Sequence, residues 1–377
     1  MIESPGILVT ILAFALVIGP LVFLHELGHY LAGRWFGVKA EEFSIGFGRE
    51  VAGITDRRGT RWKFGWLPLG GYVRFAGDMN PASQPSPEWL ALPAKERAQT
   101  FQAKPLWQRA IIVAAGPIAN FLVAIVILGA FGFAYGQRVT PPVIGSVVAG
   151  SPAAQAGLQP GDRITALGGR AIDDFSDMYY YTAIRAGEQV SIGYDRGGTA
   201  RSAEAVIGTD SFRDRFGNVT RRGMLGIGPG KSVFEPVSLL EAPGVGIKRA
   251  WELVGMTADG LKQIILGRVP LSEMGGPLRI AKISGQSFAL GPAELVALIA
   301  FVSINLGFIN LLPVPVLDGG HLLFYAVEAV RRRPVEPRVM EWAFRGGLIA
   351  ILALMLLVTF NDLGSFGVWR NLAGLIG

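Results

Sequence analysis

Four long uncharged runs constrain the fold of this 377-residue chain more than any other feature. Charged side chains are costly in the hydrocarbon core of a bilayer, and about 20 apolar residues in a helix cross it. Half of the residues are hydrophobic, only 17% are charged, and the mean hydropathy is +0.40, so the chain is more apolar than a soluble protein. The sequence therefore predicts a polytopic α-helical membrane protein with four transmembrane helices. The runs are 7–24, 110–137, 295–317 and 346–361, and Trp342 to Phe344 extend the apolar surface of the last one.

Basic residues predict how these helices are oriented. Eight lysines and arginines lie in residues 34–74, and four arginines lie in residues 331–338. Cytoplasmic loops are enriched in these residue types, so both segments are expected in the cytoplasm, with segment 138–292 and both termini outside it. Residues 1–4 lack the basic region of a signal peptide, so the first run is expected to be a retained span.

A metal-binding pattern stands at the end of the first run. His25-Glu26-Leu27-Gly28-His29 places two histidines four residues apart, so that both imidazoles project from one helix face. That spacing lets two nitrogens bind one Zn²⁺, with Glu26 beside them to take a proton from a metal-bound water. The alternative is a pair of helical histidines bonded to polar neighbours. Ionisable residues inside a span are usually functional, which favours the metal site.

A third ligand is predicted at Asp318, which follows the third run at the same side of the membrane. Two prolines and two glycines interrupt the helix around it, and broken backbone at membrane depth is tolerated where it lines a cavity. Two histidines and one carboxylate, with a fourth position open, form the ligand set of a catalytic zinc. His321 is a rival ligand, ranked second because Asp318 already completes this set. A simple helix end at the interface is the alternative interpretation of Asp318.

Three motifs together resemble the site-two protease family of intramembrane zinc metalloproteases, and most closely its bacterial RseP-like branch. They are residues 25–29, the Gly-Pro-Ile-Ala-Asn-Phe sequence at 116–121, and residues 310–313 with 317–320, spread over nearly the whole chain. The resemblance implies that His25, His29 and Asp318 bind Zn²⁺ and that Glu26 is the general base. Without cysteines, the chain offers a metal only His, carboxylate or water ligands.

The same resemblance implies roles for two asparagines. Asn310 and Asn120 are expected to position the substrate or to join a polar network, and a hydrogen bond between packed helices is an equally weighted alternative. Gly116 is expected to be a close-packing residue.

The segment 34–105 is predicted to contain strands at 42–48, 61–66 and 70–75, with a turn at 56–59. It resembles a re-entrant β-hairpin that dips toward the active site in this family. A strand edge can hold an unwound substrate by main-chain hydrogen bonds, although a hairpin that only plugs the site is the alternative. Within it, Gly46 and Gly48 are predicted to help position the substrate. Residues 80–104 are expected to form a mobile linker or an interfacial segment.

The segment between the second and third runs resembles one bacterial PDZ domain. Residues 150–164 match its strand–helix–turn, with a preceding strand at 143–148, a helix at 177–185 and a further strand at 190–195. Leu225, Gly226 and Ile227 fit its peptide-binding loop, where backbone N–H groups can meet a chain terminus. Relatives in this branch often carry two such domains, and this chain has room for one. Residues 231–291 are expected to form amphipathic helices on the outer membrane surface.

The predicted function is cleavage of transmembrane segments of single-span proteins, in the bacterial inner membrane, during regulated intramembrane proteolysis. The expected substrates are anti-sigma factors or signal-peptide remnants that were already cut outside the cytoplasm, and nucleic acid is excluded because basic residues do not form blocks. A PDZ scaffold with a structural zinc and a zinc transporter are the alternatives. The predicted segments are 1–33 (first span), 34–105 (β region and linker), 106–137 (second span), 138–230 (PDZ domain), 231–293 (amphipathic segment), 294–330 (third span), 339–362 (fourth span) and 363–377 (extracytoplasmic tail).

Overall fold

A computed structural model of the protein describes residues 6–77, 92–183, 185–213, 219–266 and 275–365. Within these ranges four helices are long and apolar enough to cross a membrane, which confirms the predicted fold class. The chain forms two compact units, one from residues 1–130 and 243–377 and the other from residues 131–242. Residues 80–91 of the predicted linker and residues 366–377 of the predicted tail lie outside the described residues.

The helices carry labels in chain order. They are α1 (Ile7–Trp35), α2 (Ala94–Arg97), α3 (Leu106–Tyr135), α4 (Pro152–Gln155), α5 (Phe175–Ala183), α6 (Ala242–Ile265), α7 (Pro277–Leu290), α8 (Pro292–Asn310), α9 (Asp318–Arg331) and α10 (Pro337–Ser365). The strands are β1 (Ala40–Thr55), β2 (Arg61–Phe75), β3 (Gln137–Val139), β4 (Ile144–Val147), β5 (Arg163–Leu167), β6 (Arg170–Ala171), β7 (Gln189–Arg196), β8 (Thr199–Val206), β9 (Gly208–Arg213), β10 (Val219–Met224), β11 (Ile227–Pro229) and β12 (Val233–Glu235).

In the first unit, two long strands form the β region. β1 and β2 pair antiparallel, and Asp56 closes the turn between them by accepting hydrogen bonds from the N–H groups of Arg58 and Thr60. The strands predicted separately at 61–66 and 70–75 are one continuous strand. Phe43 of β1 lies opposite both Val73 and Trp62 of β2, so β2 flanks the first half of β1 on both sides.

Buried apolar side chains join this β region to the spans. Phe43 and Phe75 share a buried cluster with Tyr30 of α1, Ile112 of α3 and Tyr325 of α9. Van der Waals packing stabilises such a cluster, because lipid tails are as apolar as these side chains and their removal from lipid gains little hydrophobic free energy. The cluster holds the second half of β2 beside the histidine motif of α1.

The segment predicted as the third span, 294–330, consists of two helices with the interruption near Asp318 that its prolines and glycines predict. α8 ends at Asn310, residues 311–317 are irregular, and Asp318 opens α9. Pro313 and Pro315 explain the break, because proline lacks the N–H that helix continuation needs and clashes with the preceding turn. The break places Asp318 in the first turn of a new helix.

The described part of segment 231–291 contains two helices longer than one turn, α6 and α7, and each packs against the spans. Ala250 of α6 lies in one buried cluster with Ala124 of α3 and Ala300 of α8, and such small side chains let helices approach closely. The N-terminus of α7 is held by Asp362 of α10, whose carboxylate accepts hydrogen bonds from the N–H groups of Gly276 and Arg279. This carboxylate satisfies donors that a helix start leaves unpaired.

The second unit has a PDZ-like fold. Its main sheet has the order β6-β5-β7-β8, β4 pairs with β11, and α5 packs on a core that contains Ile144, Leu167, Met178 and Ile192. Pro152 begins α4, and the Ser151 hydroxyl caps that helix by accepting from the Ala154 N–H. These elements match the strand at 143–148, the helix at 177–185 and the strand at 190–195 expected from the sequence.

Candidate metal centre and its cavity

Three side chains from α1 and α9 converge on one point. The Nε2 atoms of His25 and His29 are 3.3 Å apart, His25 Nε2 lies 3.2 Å from Asp318 Oδ2, and His29 Nε2 lies 3.6 Å from Asp318 Oδ1. Among the described residues this is the group of His, Asp and Glu side chains whose ligand atoms meet closely enough to hold a metal ion. The predicted rival His321 is not part of it.

The geometry fits zinc. A tetrahedral ion with bonds of about 2.0–2.1 Å holds its ligand atoms about 3.3–3.4 Å apart, close to the three separations observed. Gly116 of α3 keeps this space open. A Cβ atom there would lie 2.3 Å from His29 Nε2 and 2.9 Å from His25 Nε2. The sequence predicted Gly116 only as a packing residue, and the structure shows that its missing side chain leaves room for the ion.

Each histidine has a second partner on α3. His29 Nδ1 donates to the Ile112 carbonyl oxygen over 2.9 Å, which leaves Nε2 free to bind metal. The Asn120 side-chain amide lies 3.0 Å from His25 Nδ1, while Asn120 Oδ1 is buried without a hydrogen-bond partner. Turning this amide over exchanges its oxygen and nitrogen, so that Oδ1 accepts from His25 Nδ1–H. The orphaned oxygen is thereby satisfied, and His25 Nε2 is left free to bind a metal.

Asn120 does not reach the substrate space. It is fully buried between α1 and α8, and its backbone carbonyl accepts from the Ser303 hydroxyl. The geometry therefore favours the polar-network alternative for this residue over substrate positioning.

Glu26 lies between the metal ligands and the β region. It is on α1 beside His25, and its carboxylate is turned toward the Val73 backbone N–H of β2. Gly71 of β2 packs against it so closely that a Cβ would be 3.0 Å from Glu26 Cγ. A carboxylate beside the metal position, and not among its ligands, is placed to accept a proton from a water held there.

A cavity of about 740 Å³ contains this centre. Its walls include His25, Glu26, His29 and Asp318, residues 70–75 of β2, and residues 316–318 of the break before α9. The described lining of the cavity contains one arginine, Arg74, whose guanidinium forms ion pairs with Glu42 and Glu41. A length of β-strand thus borders the same space as the metal ligands.

The remaining predicted site residues fall in different places. Asn310 lines the cavity, and its role in positioning substrate stays a prediction. Gly46 and Gly48 do not line it, but both have φ of +85° and bend β1 so that Phe47 between them does. His321 lines the cavity and its ring packs at a tilt against Phe344, apart from the ligand triangle.

The predicted peptide-binding loop lies at the start of β11. Gly226 has φ of +76°, which favours glycine, and its carbonyl oxygen accepts from the Val148 N–H. The Leu225 carbonyl accepts from the Ala153 N–H, and Ile227 pairs with Val147 of β4. The carbonyl groups therefore serve the fold, and peptide binding by the N–H groups of this loop stays a prediction.

Helices that cross a membrane, with a His-His-Asp triangle and an adjacent glutamate, define a membrane-embedded zinc metalloprotease. The sequence profile of peptidase family M50, the site-two protease family, matches residues 13–354, and the chain belongs to this family. That membership favours the protease over the scaffold and transporter alternatives.

Relatives extend over the whole chain. It is 42% identical to a protein of Agrobacterium fabrum that is provisionally named a zinc metalloprotease, over 94% of this chain and 96% of the relative. It is 37% identical to metalloprotease MmpA of Caulobacter vibrioides, over 98% and 99% of the two chains.

Solved PDZ domains also match part of the chain. Those of the SdrC-like proteins from Listeria monocytogenes and Listeria innocua are 24% and 23% identical, with TM-scores of 0.19 and 0.20. Each covers 25% of this chain, and the matches span 90% and 99% of the solved domains. The PDZ-like fold of residues 131–242 rests on its own strand order.

Proposed function

We propose that this zinc metalloprotease cleaves transmembrane segments of single-span proteins in regulated intramembrane proteolysis. The observation that carries the proposal is the shared cavity, in which the ligand triangle, Glu26 and the strand at residues 70–75 border one space. A protease that cleaves soluble substrates would not need metal ligands within a membrane-spanning region. Here the candidate ligands lie on the spanning helix α1 and directly after the break that follows α8.

The residues of the centre are proposed to divide the work. His25, His29 and Asp318 would hold the zinc, which when bound supplies Lewis-acid polarisation and lowers the pKa of a bound water. Glu26 would accept the proton of that water and return it to the leaving amine. Ile112 and Asn120 would orient the two imidazoles through their Nδ1 atoms.

The strand at residues 70–75 is proposed to hold the substrate. A peptide bond inside a helix is shielded by the helix's own hydrogen bonds, so the segment must unwind before cleavage. β1 pairs with one edge of residues 70–75, and the cavity borders the same residues. An unwound substrate segment in the cavity could therefore pair with this strand as a further strand of the sheet. The alternative, a hairpin that only plugs the site, would leave cleavage insensitive to changes along this strand.

The membrane orientation is proposed from the basic loops. Arginines and lysines in residues 34–74 and 331–338 favour a cytoplasmic location for those loops, which would leave both termini and residues 138–292 outside. In a bacterial cell this location would be the inner membrane. The PDZ domain would then meet substrates outside the cytoplasm, either excluding uncut proteins by bulk or binding the new C-terminus left by a first protease, as for anti-sigma factors and signal-peptide remnants.

A single substitution tests the proposal. Glu26→Gln in the purified full chain should abolish cleavage of a single-span test substrate and retain zinc, because the amide keeps the size of the side chain and cannot accept the proton. Glu294→Gln, the same change at an exposed position of α8, is the matched control and should leave both properties unaltered. Cleavage by Glu26→Gln near the wild-type rate would refute the general-base role.

A further inference from the structure

The turn that leads into α9 has an unusual backbone. The Leu317 N–H donates to the Val314 carbonyl oxygen over 3.1 Å, which closes a four-residue turn with Pro315 second and Val316 third. Val316 has φ of +87°. Proline in second position and positive φ in third are the pattern of a type II turn, in which the third residue is normally glycine or asparagine. A β-branched residue there is a steric outlier.

The chain uses glycine for this conformation almost everywhere else. Seventeen of the described glycines have positive φ, against only two described residues of other types, Val316 and Arg332. Arg332 ends α9 in the left-handed region and is exposed. A valine at a backbone position that favours glycine suggests that its side chain has a function.

Close contacts fix the turn in this conformation. A Cβ at Gly320 of α9 would lie 2.4 Å from the Val314 carbonyl oxygen, and one at Gly347 of α10 would lie 2.5 Å from the Pro315 carbonyl oxygen. The turn is therefore clamped between the first turn of α9 and the side of α10. With its neighbours held so tightly, Val316 cannot relax to an ordinary φ without moving them.

Val316 lines the catalytic cavity near the metal ligands. It stands two residues before Asp318, so their Cα atoms are at most about 7 Å apart. Its side chain therefore borders the space in which a substrate segment would lie when its scissile carbonyl meets the metal. Leu317 and the strand residues 70–75 border the same space.

We propose that Val316 is a specificity-determining residue whose isopropyl group forms the wall of the subsite beside the scissile bond. The wall excludes bulky substrate side chains and admits small ones. A glycine at position 316 would remove the backbone strain of the turn but would also remove this wall. The need for the wall explains why valine stands at a strained position. The inference rests on the proposed intramembrane cleavage and adds to it the class of residue accepted at the cut.

The first experiment tests the strain. At an ordinary position glycine is less stable than alanine, because it gains more freedom in the unfolded chain. At φ of +87° the order should invert, so Val316→Gly should unfold at a higher temperature than Val316→Ala. The pair Arg332→Gly and Arg332→Ala should show the same inversion, and it serves as a strain control outside the cavity. The ordinary order at residue 316 would overturn the strain argument.

The second experiment tests the wall. Purified full-chain variants would cleave single-span test substrates that differ only in the residue beside the cut, either alanine or phenylalanine, with zinc content measured on each preparation. Wild type should prefer alanine. Val316→Ala and Val316→Gly should both raise the phenylalanine-to-alanine rate ratio by about tenfold or more. Val316→Thr, which keeps the shape of valine, and Arg332→Gly should retain the wild-type ratio.

Two results would overturn the proposal. One is an unchanged ratio in both Val316→Ala and Val316→Gly. The other is loss of zinc from both variants, which would make the residue a support for the third ligand. Failure of the proposed function looks different, because wild type would then cleave neither substrate, or Glu26→Gln would cleave as wild type does.

Discussion

A methyl group at Gly116 should displace the metal. Gly116 lies on α3 opposite the two histidines of α1, and a Cβ there would stand 2.3 Å from His29 Nε2 and 2.9 Å from His25 Nε2. Carbon and nitrogen atoms that are not bonded normally stay about 3.5 Å or more apart, so Gly116→Ala forces the rings or the helices to move. The methyl would also take up space beside both Nε2 atoms, which are the ligand atoms that the two histidines offer a metal.

The size of the effect follows from packing energetics. An extra methyl in a well-packed interior costs typically about 1–3 kcal/mol, and here that cost falls mainly on the zinc-bound state. Converted to binding, it predicts zinc affinity weakened roughly 5- to 150-fold. The apo protein can relieve part of the clash by turning the imidazoles, which the bound ion forbids.

The assay is competition for zinc between the purified protein and a chelating indicator, with thermal unfolding measured on the same samples. Gly19→Ala is the matched control, because a Cβ on that α1 residue meets nothing within 4 Å. It should keep wild-type zinc affinity. If Gly116→Ala binds zinc as tightly as Gly19→Ala while remaining folded, the ion does not sit in the His25–His29–Asp318 triangle.

Three further predictions address the ligand set and the PDZ-like domain. Asp318→Asn should lower zinc content more than His321→Ala, since only Asp318 belongs to the ligand triangle; the reverse order by metal analysis would exchange their roles. Hydrogen bonds from the Arg196 guanidinium hold the pKa of the buried Asp162 carboxyl below its usual value. This pair therefore stabilises the folded domain above about pH 4, the ordinary pKa of an aspartate. Its contribution to stability is lost as the pH falls through the lowered pKa. Amide hydrogen exchange across β5 and β7 should show this loss of stability in the wild type, and the stability of Arg196→Leu should depend less on pH. Equal pH profiles in the two proteins would exclude the Arg196–Asp162 pair as the cause of the pH dependence. A variant in which a flexible bridge replaces residues 143–228 should keep the zinc and should cleave full-length substrates. If this variant keeps its zinc and no longer cleaves shortened substrates, the PDZ-like domain delivers substrates to the metal centre instead of excluding uncut ones.

Local sequence was sufficient for much of this protein. Uncharged runs predict the spans because a charge in hydrocarbon is costly wherever the helix packs. The four-residue spacing of His25 and His29 fixes two ligands on one helix face, since helical periodicity is a property of the backbone alone. Asp56 and Gly59 likewise specify their turn through bonds made within a few residues.

Other features depend on contacts between residues far apart in the chain. The sequence predicted Asp318 as the third ligand, but its distances to the two histidines depend on the packing of α9 against α1. The contact of the buried Asn120 amide with His25 likewise depends on the packing of α3 against α1. Gly116 matters because of what lies across the helix interface, which no local pattern records. The strained φ of Val316 exists only because α9 and α10 clamp the turn from both sides. Tertiary structure decided these points because each depends on distances that the sequence spacing leaves free.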